Sequence, residues 1–192
     1  MLNLKNELLD YSLTIKKAMK KPLINLINEE IYHNVDEWEM GTVKKGEDRN
    51  IRSVKLRGFE EGDIGNSISK RIIYNELKKF TSTINDEYKK NVSGFYFSEK
   101  NYFQFLYYDK LMNGHYDYHT DHFLQNPRVL TILVGLNSTD EYEGGELLVG
   151  NQKEGVKLGE GDLVVFPSNF MYPHKVNQVT KGARKVLIIW TQ

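Results

Sequence analysis

The chain has 192 residues, 26 lysines and arginines against 26 aspartates and glutamates, and no cysteine. Balanced charge gives no global field to recruit nucleic acid or an anionic membrane, and the missing cysteine excludes disulfides, thiolate catalysis and cysteine-held zinc or iron–sulfur centres. No apolar run reaches the roughly 20 residues that span a bilayer. The opening MLNLKNELLDYS has acidic residues and no unbroken apolar stretch, so no signal peptide is expected. The expectation is a soluble, cytoplasmic protein folded as one domain over residues 1–192, with no membrane and no nucleic-acid partner.

In chain order, residues 1–31 have helical spacing, with Leu4, Leu8 and Leu9 on one stripe and Leu23, Ile24, Ile27 and Ile31 on another. Pro22 suits a helix start. Residues 37–56 read as strand, Gly-rich loop, strand. A third helix fits residues 67–90, where Ile68, Ile72, Ile73, Leu77 and Phe80 recur at helical spacing. After Val92 the pattern turns aromatic and alternating, then passes through short β-branched runs at 128–137, 144–150, 156–168, 171–179 and 183–190. Gly, Pro or Asn bounds each run. Strands at this spacing predict a sandwich, jelly roll or barrel. The fold class is therefore α+β, mainly β, with residues 1–90 as helical support and first strands and 91–192 as the β core carrying the site.

Residues 114–123, GHYDYHTDHF, hold three of the five histidines. On a strand, positions i and i+2 project to one face, so His119 and Asp121 aim an imidazole and a carboxylate at one point. His174, in FPSNFMYPHKV, opens a later strand that a rolled sandwich can set across from them. Two histidines and one carboxylate on one face match the facial triad of non-haem Fe(II) oxygenases, which leaves coordination positions open. Arg184 shares a strand face with Val186, Ile188 and Trp190. A guanidinium among apolar residues is costly without an anion, either an internal carboxylate or a bound one. His115 and His122 then sit beside the ligands, face a substrate or are simply exposed. Tyr116, Tyr118 and Trp190 read as packing residues.

Together these residues resemble the Fe(II)- and 2-oxoglutarate-dependent oxygenases, in particular their prolyl 4-hydroxylase-like branch. The resemblance runs in order through Gln104 and Tyr108, then Gly114, Tyr116, His119 and Asp121. It continues through Arg128, Thr131, Leu136 and Asn137, the Gly144-Gly145-Glu146-Leu147 run, Gly161, Asp162, Phe166 and Pro167. It closes with His174, Val176, Val179, Gly182, Arg184 and Trp190. It covers residues 100–192; the first 90 residues only fit the helical support of such folds.

The resemblance implies a double-stranded β-helix, jelly-roll or cupin-like, with iron held by His119, Asp121 and His174. Arg184 would bind the distal carboxylate of 2-oxoglutarate, Tyr108 would reach that co-substrate, and Thr131 would help line its pocket. The implied cofactors are Fe(II), 2-oxoglutarate, O2 and, as an optional addition, ascorbate. The implied reaction hydroxylates an unactivated C–H bond, first of all in a prolyl or other peptidyl residue, and turns 2-oxoglutarate into succinate and CO2. Alternatives are a free amino acid or small metabolite as substrate, or a non-catalytic β-helix binding module. Nucleic-acid demethylation is disfavoured because Trp190 stands where such enzymes add a second arginine. Two departures from the pattern are a longer loop before His119 and Gly135 where many relatives have a tyrosine. Substrate choice is expected in residues 38–66 and 109–118; oligomeric state is open.

Overall fold

The computed structural model describes residues 11–192 except 44, 45, 95, 97, 99, 123, 124, 126 and 151. The expected Leu4, Leu8 and Leu9 stripe lies outside the described residues. The chain opens with β1 (Leu13–Ile15), α1 (Lys21–Glu30), β2 (Glu39–Met40), β3 (Arg52–Ser53), β4 (Lys55–Phe59) and α2 (Ile68–Asn91). Strands follow: β5 (Asn101–Asp109), β6 (His115–His119), β7 (Leu130–Gly135), β8 (Tyr142–Gly144), β9 (Leu147–Val149), β10 (Leu163–Pro167), β11 (His174–Val176) and β12 (Val179–Thr191).

All pairings are antiparallel. The larger sheet runs β1-β10-β7-β12-β5-β4-β2, with β8 also on β12; the smaller runs β3-β6-β11-β9. The result is a mainly β, double-stranded β-helix architecture with helices on one outer face.

Two cores follow from strand alternation. On β12, Val186, Ile188 and Trp190 point between the sheets, where Leu106, Leu133, Phe166, Leu147 and Val176 meet them. Leu187 and Ile189 point the other way, onto the helices, with Phe103, Phe105 and Ile132. Pro22 stands in the first turn of α1, where its missing N–H costs no bond, and Ile24, Ile27 and Ile31 bury against the sheet. Ser67 caps α2 by accepting from the Lys70 N–H at 3.2 Å. The buried stripe of α2 runs Ile73, Leu77, Thr81, Ile84 and Tyr88. Ile68 and Ile72, expected on that stripe, are 75% and 48% exposed. They belong to the adjoining face, about 100° round the helix from Ile73 in the case of Ile72.

Gly135 has a packing reason. A Cβ there would run into the Gly159 carbonyl oxygen, so the 159–162 turn occupies the space that a tyrosine side chain would need. No helix among the described residues is long and apolar enough to cross a membrane.

Candidate metal centre and co-substrate pocket

Antiparallel pairing of β6 with β11 puts His119 directly opposite His174. Asp121 lies two residues beyond the end of β6 and turns inward, only 6% exposed. One ligand atom from each of the three falls within 4.8 Å of the others. The His119 Nε2 is 3.7 Å from Asp121 Oδ1, and the His174 Nε2 is 3.6 Å from Asp121 Oδ2. The opposite ring nitrogens face backbone carbonyls, His119 Nδ1 that of Asp117 at 2.8 Å and His174 Nδ1 that of Tyr172 at 3.1 Å. A carbonyl only accepts, so each Nδ1 carries the proton and each Nε2 lone pair turns toward the centre.

The carboxylate is oriented in turn. Asp121 Oδ2 accepts from the Thr131 hydroxyl at 2.7 Å and from the Trp190 indole N–H at 2.9 Å. Because Thr131 donates its one proton there, Ser168 is the donor in the 2.7 Å Ser168–Thr131 bond. Burial alone would raise the Asp121 pKa. Both imidazoles, the indole and the Thr131 hydroxyl outweigh it and hold the carboxyl below its ordinary value. Burial, and then the neighbouring His174, push the His119 pKa down to about 4. A carboxylate and a neutral imidazole are the protonation states a divalent metal needs.

Arg184 sits deeper on β12, in register with Tyr108 of β5. It is 1% exposed, and its guanidinium carbon lies 5.3 Å from the Tyr108 ring centroid. None of its three side-chain nitrogens meets the geometry of a full hydrogen bond, the nearby Tyr142 hydroxyl being a neutral neighbour, and it makes no ion pair among the described residues. A buried guanidinium without an acceptor is strongly disfavoured unless an anion completes the site. Gly145 allows the close fit, since a Cβ there would touch the Arg184 Cδ at 3.0 Å. Beside the triad a cavity of about 160 Å³ is lined by Tyr108, Tyr116, Trp190, Leu133, Arg52 and Arg128, among others. A divalent iron fits the two-imidazole, one-carboxylate donor set, and a dicarboxylate fits the orphaned guanidinium.

Of the residues expected from the sequence, His119, Asp121 and His174 are brought together, and Tyr108 lies against Arg184. Thr131 is placed against Asp121, not against Arg184. His115 lies outside the cluster, its ring nitrogens 2.8 Å from the Asn113 carbonyl and 3.0 Å from that of Asn50. His122 is exposed. Sequence reasoning missed the polar contacts of two aromatic residues. Trp190, read as core, bonds the carboxylate, and Tyr116, read as packing, stacks on the His119 ring at 3.5 Å and 15°. It also missed Arg52, whose guanidinium carbon is 4.5 Å from the Tyr116 ring centroid, and gave no role to Arg128, 3.6 Å from that of Trp190. The place of Trp190 on the same strand face as Arg184 hinted at its part; Tyr116, three residues before His119, alternates to the other face, and only the register shift between β6 and β11 brings it onto the His119 ring.

A β-helix with two histidines, a carboxylate and a buried arginine defines a metal-dependent oxygenase scaffold. Residues 103–192 match the family model of the 2OG-Fe(II) oxygenase superfamily. The C-terminal half of the chain thus matches the domain of that superfamily. It is 39% identical over 89 residues to a PKHD-type hydroxylase of Pseudomonas putida (strain W619), a match covering 41% of this chain and 38% of that protein. A PKHD-type hydroxylase of Prochlorococcus marinus (strain MIT 9301) is 26% identical over 187 residues, 93% of this chain and 77% of that protein. The chain thus spans little more than a third of the Pseudomonas relative and a similar share, 34%, of a PKHD-type hydroxylase of Idiomarina loihiensis. In fold it is similar to a Pseudomonas putida prolyl-4-hydroxylase, with a TM-score of 0.75, 17% identity, and 95% of this chain and 92% of that one covered. It is also similar to a Trichoplax adhaerens prolyl hydroxylase bound to a peptide fragment of hypoxia inducible factor. There the TM-score is 0.72 at 17% identity, with 98% and 88% covered.

Proposed function

We propose that this chain is an Fe(II)- and 2-oxoglutarate-dependent dioxygenase that hydroxylates a prolyl or other peptidyl residue. The observation that carries the reading is the buried Arg184 guanidinium, without a carboxylate partner among the described residues, on the same strand face as the residues around the His119–Asp121–His174 cluster. His119, Asp121 and His174 would hold the metal, and Arg184 the distal carboxylate of 2-oxoglutarate, with Tyr108 beside it. Bound there, the iron would supply oxidation of 2-oxoglutarate by O2 to succinate and CO2 and transfer of one oxygen atom to an unactivated C–H bond. The chain's own work is positional. Thr131 and Trp190 hold Asp121, the Asp117 and Tyr172 carbonyls hold the two imidazoles, and the aliphatic wall of Leu133, Val176 and Ile188 keeps water from the reacting centre.

A peptide substrate is supported by the PKHD-type hydroxylase relatives and by the prolyl hydroxylase folds, one of them holding a peptide. A cytoplasmic location and one domain over residues 1–192 belong to the same proposal.

Anaerobic addition of Fe(II) and 2-oxoglutarate tests it through the weak metal-to-ligand absorption band of such complexes. The band is expected in the wild type and abolished by His119→Ala or Asp121→Ala. Arg184→Ala should leave metal binding in place and weaken 2-oxoglutarate binding by at least about tenfold, because it removes the charged partner of a buried anion. Admission of O2 with proline-containing peptides should yield succinate and peptides heavier by one oxygen atom. No band, and no succinate with any peptide pool, would overturn the reading.

A further inference from the structure

The larger sheet ends on β2, a two-residue strand that covers only part of β4. Glu39 pairs with Leu56 and Met40 with Lys55, and the Gly41 N–H donates to the Val54 carbonyl at 2.8 Å. In an antiparallel ladder the backbone groups of alternate residues point to the same side. Those of Leu56 and Gly58 therefore point as the Val54 carbonyl does, toward the sheet edge. Opposite Gly58 the chain has already left β2 for the helical turn of Tyr32–Glu37, so the Gly58 N–H and C=O face an edge that no strand covers. Nothing lies within 4 Å of where a Cβ on Gly58 would stand. Leu56 and Gly58 are in register with Leu106 and Gln104, which line the metal cavity. The open edge is thus one strand over from the metal site, a spacing of about 4.8 Å.

A cleft of about 560 Å³ opens along this edge, lined by Glu37, Glu39, Glu60 and Asp63 against the single cation Arg57. All four acids are exposed. Asp63 Oδ2 accepts from the Glu60 N–H at 2.7 Å, while Glu37 and Glu39 make no ion pair among the described residues. The nearby Lys55 is already held by Asp36 at 2.7 Å. Trp38, between the two free acids, lines the same cleft. It is 7% exposed, its ring packs on Tyr32 with centroids 4.8 Å apart, and its indole N–H finds no acceptor. A buried donor left unpaired is costly, so a group entering the cleft with a carbonyl gains by supplying the acceptor.

We propose that the open edge of β4 is the docking groove of the peptide substrate, which joins it as an extended strand carrying Lys or Arg at alternate positions. Main-chain bonds to Gly58 supply affinity, and Glu37, Glu39, Glu60 and Asp63 select the basic side chains. The same acids keep the edge from pairing with a second copy of itself. That the strand is a substrate rests on the oxygenase reading; that the edge binds a basic strand does not.

Calorimetry on the metal-free full chain tests the groove. Probes are a peptide of alternating Lys and Thr ending in Gly-Pro, the same peptide with Glu for each Lys, and the Lys peptide N-methylated throughout. The unmethylated Lys peptide should bind about tenfold tighter than either of the others, the scale of a hydrogen bond to a charged group. Added salt should shrink its advantage over the Glu peptide. The joint variant Glu37→Gln with Glu39→Gln should lose most of that advantage. Hydrogen exchange of the Gly58 amide should slow when the Lys peptide binds. No binding of the Lys peptide, equal binding of the Glu peptide, a preference kept in the joint variant, or binding that leaves Gly58 unprotected would overturn the groove. With Fe(II), 2-oxoglutarate and O2 present, the KM of the Lys peptide in succinate formation should be about tenfold below that of the Glu peptide. Equal KM values, or a Lys peptide that binds without giving succinate, would overturn its role as the substrate dock. Loss of the absorption band refutes the oxygenase reading instead, and the metal-free titrations still decide the docking.

Discussion

At Asp121 the two carboxylate oxygens have different work. Oδ2 already accepts from Thr131 and Trp190, while Oδ1 faces the His119 Nε2 and the edge of Arg128. Oδ1 is therefore the oxygen left for a metal, and the two donors hold it there. Trp190→Phe keeps an aromatic ring at that position, smaller than the indole under Arg128, but deletes the N–H. Metal affinity, measured by chelator competition, should fall by about tenfold, the usual cost of losing a group that orients a ligand; an unchanged affinity would refute the orienting role. The alternation of β6 made His119 and Asp121 legible as a same-face pair, and Arg184 stood out as a cation on an apolar face. Trp190 did not stand out. An indole on a core-facing strand position reads as packing, and its N–H gains meaning only from Asp121, 69 residues away in sequence.

Each long element serves two neighbours. β12 gives one face to the inter-sheet core with the metal site and the other to the helices. Its period-two pattern was legible in ARKVLIIW, and so were the two helices. The depth of each helix residue was not. Ile68, Ile72 and Ile73 are equally apolar, and only contact with the sheet decides that Ile73 is buried while the others face outward. Leu77→Ala, in the centre of the buried α2 stripe, should cost about 2–5 kcal/mol, read from urea unfolding. Affinity for 2-oxoglutarate should stay near wild type, since Leu77 packs in the helix–sheet core and Arg184 between the sheets. A loss of co-substrate binding as large as that of Arg184→Ala would show that the helices shape the pocket directly.

For the molecule as a whole, the metal centre makes stability depend on pH. A histidine of the unfolded chain titrates near 6.5, and His119 in the folded chain near 4. Between these values the unfolded chain binds a proton that the folded one does not, so stability rises with pH through that window. It is fully present above about 6.5 and declines as pH falls toward 4. The depressed Asp121 pKa acts in the same direction, its contribution being lost as pH falls through the folded value. Urea midpoints of the metal-free protein should therefore drop between about pH 7 and about pH 4.5, and His119→Gln should flatten that slope.

The sequence by itself determined what short-range physics can carry. Strand alternation set which side chains share a face, helical spacing set the apolar stripes, and the absence of cysteine left histidine and carboxylate as the strong metal ligands. Tertiary structure alone decided what pairs across the sheets. The β6–β11 register sets His119 against His174, and β3 lays Arg52 over Tyr116 from 64 residues away. The fold of the 159–162 turn closes the space at Gly135. These are contacts between distant segments, and their identity depends on register and loop path, which no local pattern of residue types encodes.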